Sequence, residues 1–227
     1  MYPAPVRQHE AELPLHTPSV SSLTLAALIA VIAWLSLLAQ ADVTIDRTLA
    51  RGLTMLDALA RMSSYLTNLT VLACALCFTG VALWKQRSPW VRFFRQPTVV
   101  TAVVVYMVFV GIAYNLLLRG LWSPPLYRRL LNESLHSVLP MLTALYWVLF
   151  VPRFHLRPRH CLLWLVYPLA YLGITFWRGS LSAFYPYPFI DVDTLGLRQV
   201  VVNAALLFGG FLMLMALFIG INFRRRR

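Results

Sequence analysis

From Ser21 to Ala41 this chain carries no charge, and from Val200 to Phe223 it carries none again. A run of about 20 apolar residues is what a helix needs to cross the hydrocarbon core of a bilayer. Four more such stretches lie between these two: Leu66 to Trp84, Thr98 to Leu118, Leu135 to Val151 and Cys161 to Trp177. Lipid offers backbone groups no partner, so the spanning segments must be helices or a closed barrel. Continuous apolar runs, rather than alternating ones, select helices. The expectation is an all-α polytopic membrane protein, a bundle of six transmembrane helices over residues 19–223. A short N-terminal tail (1–18) precedes it and a basic tail (224–227) follows.

The charge distribution sets an expected orientation. Of the 20 Lys and Arg residues, Arg7, Lys85, Arg87, Arg92, Arg95, Arg153, Arg157, Arg159 and Arg224 to Arg227 share one side of a six-span chain. That side is the richer one and should be cytoplasmic, with both termini on it. Six of the eight acids (Asp42, Asp46, Asp57, Glu133, Asp191, Asp193) fall on the other side. A net charge of +12 arranged in this way suits anionic lipid headgroups rather than nucleic acid. The tail before the first span lacks the basic start of a signal peptide, so that span is expected to stay. Cys74 and Cys77 have CxxC spacing, but in an apolar helix without a second pair they read as small packing residues. No metal or other cofactor is expected.

Polar residues are costly in lipid and often functional, and here they gather toward one end of the expected bundle. The second span opens with Ser63-Ser64-Tyr65-Leu66-Thr67-Asn68, and the fourth with Asn132-Glu133-Ser134-Leu135-His136. The fifth ends at Arg178, before the run Tyr185-Pro186-Tyr187-Pro188-Phe189 and Asp191, and Asn203 lies one turn into the sixth. Ser63, Thr67, Thr70, Cys74 and Cys77 form a small stripe at helical spacing, which also suits close helix packing. His136 is the one histidine expected in that half of the spans, sharing a face with Asn132 and Thr143. An imidazole there suits a general base, or simply a hydrogen bond between helices. The aromatic-proline run reads as a stiff lid or an interfacial anchor, which an Arg178–Asp191 pair could hold down.

These residues resemble a known family. Tyr65-Leu66-Thr67-Asn68, His136-Ser137-Val138-Leu139-Pro140 with Trp147, Tyr167-Pro168, Arg178-Gly179, Tyr185 to Asp191 and Asn203 are similar to bacterial six-span proteins. Those proteins are related to the androgen-induced, androgen-dependent protein family. The resemblance covers most of the chain from the second span onward. Animal members of that family hydrolyse fatty acid esters of hydroxy fatty acids, using an intramembrane threonine and histidine. The resemblance therefore implies Thr67 as nucleophile, His136 as general base, a lipid ester as substrate, and the bacterial inner membrane as location. Tyr65, Asn68, Asn132 and Tyr187 are candidate oxyanion donors, and Asp191 or Glu133 could orient the histidine. A lipid-binding protein or transporter without a covalent step is the alternative. Oligomeric state is open.

Overall fold

The computed structural model describes residues 18–83, 88–121, 123–154 and 158–224. The N-terminal tail, Lys85, Arg87, Arg157 and the last three arginines, on which part of the charge argument rests, lie outside the described residues. Among the described residues there is no strand. Nine α-helices follow in order: α1 Val20–Leu49, α2 Met55–Ser64, α3 Leu66–Ala82, α4 Pro89–Phe94, α5 Pro97–Leu117, α6 Leu126–Glu133, α7 Leu139–Phe150, α8 Pro158–Ser182 and α9 Val192–Arg224. Four of them (α1, α5, α8, α9) are each long and apolar enough to cross a membrane, and the bent pair α2–α3 makes a fifth. Broad apolar faces point outward, with Leu162, Leu163, Trp177, Leu181, Leu206 and Met213 all well exposed. Such faces are a liability in water and at home in lipid, and the architecture is that of an integral membrane protein.

The core lies where α1, α3, α5 and α7 meet. Along α1 the buried residues Ser22, Ala26, Ile29, Ala30 and Ala33 recur at helical spacing and face Val71, Cys74, Ala75 and Phe78 of α3. Lipid is as apolar as a leucine side chain, so small residues that let backbones approach do the work of association. Cys74 and Cys77 sit in this seam, and the Cys77 thiol points at the Phe94 carbonyl at 3.6 Å. Buried polar groups then tie helix to helix. Trp147 donates its indole N–H to Thr101 (2.9 Å), Trp34 donates to Thr79 (3.1 Å), and Tyr146 shares a hydrogen bond with Ser22 (3.0 Å).

Three departures from the expected spans matter for the site. Asp42, Asp46 and Arg47 do not form a loop, because α1 continues past them to Leu49. Ser63 is cut off from the Thr67, Thr70, Cys74, Cys77 stripe, because the chain bends by 84° between α2 and α3. The segment expected as the fourth span begins earlier and is not a regular helix. Residues 126–150 run through α6, a π turn over Ser134–Val138, and α7, with Glu133, Ser134, Val138 and Leu139 all in right-handed helical conformation.

The last helix is interrupted as well. Gly196 breaks α9 with φ +76° and ψ 153°, a combination open to glycine alone. Asp191 caps the short segment before that break, accepting from the Thr194 N–H (3.1 Å) and hydroxyl (2.9 Å). A Cβ on Gly196 would meet no neighbour within 4 Å, so only backbone strain opposes it. Gly196→Ala is therefore expected to cost about 1–3 kcal/mol, seen as a lowered thermal midpoint of the purified protein in detergent.

Candidate functional site

The bend at Tyr65 builds the site. An α-helix leaves its last carbonyls without partners of its own, and where it ends against other helices something must supply donors. Here Asn68 donates its amide to Met62 O (2.9 Å), Tyr171 its hydroxyl to Ser64 O (2.8 Å), and Arg178 its guanidinium to Ala60 O (3.0 Å). With the end of α2 satisfied, α3 starts afresh inside the bundle, and Thr67 becomes its second residue. The first N–H groups of a helix have no partner within it, and the helix dipole puts partial positive charge there. The Thr67 N–H finds the Tyr187 hydroxyl at 3.5 Å.

His136 reaches Thr67 from the π turn. Its Nε2 lies 3.3 Å from Thr67 Oγ1, and its Nδ1 lies 3.0 Å from the Asn132 carbonyl oxygen. A carbonyl only accepts, so in the neutral ring Nδ1 carries the proton and donates to Asn132. Nε2 is then left to accept from the threonine hydroxyl. Tyr114 stacks flat on the imidazole, with ring centroids 3.7 Å apart and planes at 12°, which fixes the plane of the base. Both Thr67 and His136 are buried, at 8% exposure each.

Two cavities meet at Thr67, and His136 lines the larger of them. The larger, about 560 Å³, is lined by Thr67, His136, Tyr65, Asn68, Asn132 and Tyr187 together with Gln40, Arg47 and Arg128, and by no acid. The smaller, about 100 Å³, is apolar and bears no charged residue, with walls from Phe109, Leu172, Leu207, Phe208 and Phe211. Thr67, Tyr114, Leu118 and Tyr187 border both. The hydroxyl of Thr67 thus stands on the boundary between a polar chamber and an apolar one.

The remaining sequence candidates divide. Tyr65 lies at the bend and contacts the ring of Tyr187 edge-on (5.8 Å). Asn68 lines the larger cavity, but its amide is committed to Met62, so it caps the bend rather than facing an oxyanion. Asn132 contributes its main-chain oxygen to His136. Asn203 and Asp191 lie outside both cavities: Asn203 donates to Phe189 O (2.8 Å) and holds the aromatic-proline run, while Asp191 caps the start of α9. The expected Arg178–Asp191 pair does not form, since Arg178 is drawn to the carbonyl end of α2. Neither acid orients His136. Glu133 instead accepts from Arg119 and from the Ser137 hydroxyl (2.7 Å). Thr143 turns its hydroxyl to Pro140 O (3.0 Å), away from the site.

The run from Phe184 to Ile190 covers the bend. Arg61 sits over the Phe184 ring (4.4 Å), Tyr187 stacks on Phe189 (5.2 Å), and Tyr185 lies against the backbone of Gly179. A Cβ at position 179 would come within 2.1 Å of that ring. The sequence reading missed Tyr114, Tyr171 and Asn115. Each is a polar group in or beside an apolar run, and that was the available signal.

No protein-family model matches this chain, and neither a curated protein nor a solved structure matches it significantly.

Proposed function

We propose that this protein is an intramembrane threonine hydrolase that cleaves amphiphilic lipid esters, of the kind formed between fatty acids and hydroxy fatty acids. The observation that carries the reading is the Thr67–His136 contact, with Nδ1 of the base tied to a carbonyl so that Nε2 faces the hydroxyl. His136 takes the Thr67 proton as Oγ1 attacks the ester carbonyl carbon. The tetrahedral oxyanion collapses, the departing alkoxide takes the proton from Nε2, and an acyl-threonine remains. Water, deprotonated in turn by His136, attacks the acyl carbon and releases the acid, and Thr67 recovers its proton. A hydroxyl is a poor nucleophile without such a base. The start of α3 and the Tyr187 hydroxyl, which meets the Thr67 N–H at 3.5 Å, are the donors that would face negative charge developing on the carbonyl oxygen.

The two chambers suit a substrate with two ends. The acyl chain enters the apolar chamber, the scissile carbonyl rests at Thr67, and the polar remainder lies in the larger cavity beside Arg47 and Arg128. In this reading residues 126–150 form a crossing too, the fourth of six in chain order, both termini face the cytoplasm, and the site belongs to the outer leaflet of a bacterial inner membrane. The test is hydrolysis of a branched hydroxy-fatty-acid ester by purified protein in detergent, with intact-mass measurement after a slowly deacylated ester. Turnover together with an acyl adduct on Thr67 supports the reading. Tight retention of the intact ester, without turnover or adduct, would leave a lipid-binding protein in its place.

A further inference from the structure

The π turn that carries His136 has a visible cause. In an α-helix the His136 carbonyl accepts from the N–H four residues on, and that residue is Pro140, which has none. The ladder widens instead, with the Leu139 N–H bonding Ser134 O five residues back. The His136 carbonyl is met from outside, by the side-chain amide of Asn115 on α5 at 3.1 Å. The same amide nitrogen also donates to Gly111 O at 2.8 Å, which fixes its direction. Gly111 makes the approach possible. A Cβ there would come within 2.8 Å of Pro140 Cγ and 2.9 Å of the His136 carbonyl oxygen.

We propose that Asn115, seated on Gly111, is the positioning residue for the histidine base. This rests on the hydrolase reading. Imidazole contacts alone do not fix where Nε2 lies, because the ring hangs on a main chain that has left regular helical geometry. Asn132 and Tyr114 set the ring's rotation and plane, and Asn115 sets the position of the residue that bears it. Losing the amide takes away the donor that meets this carbonyl from α5, and with it the link that holds the turn against that helix. Asn115 touches no reacting atom. Its effect passes entirely through the Thr67–His136 distance.

The test joins kinetics to a direct view of the ring. Protein labelled with ¹⁵N-histidine gives the Nδ1 and Nε2 resonances of His136, assigned by their loss in His136→Gln. Asn115→Ala is expected to shift both resonances and to lower kcat by about 10- to 100-fold with KM little changed, the scale of loss that misplacing a catalytic group by about 1 Å can bring. Asn115→Gln, which keeps the donor, restores part of kcat. Asn115→Asp, which keeps the shape and loses the donor, does not. Gly111→Ala acts in the same direction as Asn115→Ala. A lowered thermal midpoint with wild-type kcat and unmoved His136 resonances overturns the proposal and makes Asn115 a tie between helices only. Absence of ester turnover in the wild-type protein overturns the hydrolase reading, and the resonances alone then decide whether Asn115 holds the imidazole.

Discussion

His136→Ala is expected to lower kcat for ester hydrolysis by about 10²–10⁴-fold, the range that general-base assistance supplies. Thr67→Ala removes the nucleophile and should fall to the same floor. The double variant should be no worse than either single one, because the two groups act as a unit and their losses do not add. Thr67→Ser keeps an oxygen at the same place on α3 and should retain turnover, though with a more mobile hydroxyl. Neither alanine is expected to unfold the protein, since the bend is held by Asn68, Tyr171 and Arg178 and not by the pair itself. Thermal midpoints close to wild type, measured beside the rates, separate lost chemistry from lost structure. An alanine variant that kept wild-type turnover would remove its residue from the mechanism.

The resting distance of 3.3 Å between Thr67 Oγ1 and His136 Nε2 is long for an O–H···N bond and still usable. Catalytic hydrogen bonds are often loose before substrate arrives and tighten in the Michaelis complex. Tyr187 borders Thr67 in both cavities, so under the proposed function an acyl chain filling the apolar chamber would press on the residues around Thr67. Short esters, which leave that chamber empty, should consequently be turned over more slowly per bound molecule than long ones.

Hydropathy made the apolar helices legible because a membrane span is declared by its own composition. It misplaced their ends wherever a helix outlasts its apolar run. The charges Asp42, Asp46 and Arg47 ended the first run but not α1, and Arg128 and Arg129 hid the helical start of residues 126–150. The bend at Tyr65 was not legible. Ser63 to Cys77 reads as one continuous stripe, and the donors that meet the end of α2 at the bend are Asn68 nearby and two side chains of α8, more than a hundred residues away. The π turn was legible in principle, since Pro140 stands four residues after His136 and withholds the donor a helix requires. The partner that answers it, Asn115, is one amide in a valine-rich helix, and only the packing of α5 on that turn shows which carbonyl it meets. Thr67 and His136 were placed at one end of the bundle by topology, but their contact depends on both irregularities at once.

Tyr187→Phe is the sharpest test of how the oxyanion is held. The phenol oxygen lies 3.5 Å from the backbone nitrogen of Thr67, the proposed nucleophile, and its ring is braced by Phe189 in a stack and by Tyr65 edge-on. Of the sequence candidates, Asn68 has its amide turned to Met62 O and Asn132 meets His136 through its main chain, while Tyr187 is the one whose hydroxyl meets Thr67 itself, at the backbone N–H. Removing one oxyanion donor costs about 10²–10³ in kcat where the donor is fully engaged. Phenylalanine keeps the stack and the roof, so the loss should fall on kcat while KM stays near its wild-type value. Tyr65→Phe, at the same bend but with no hydrogen bond to Thr67, should lose much less. Equal losses in the two variants would mean that the aromatic roof acts by shape alone, and the charge on the carbonyl oxygen would then fall to the first N–H groups of α3.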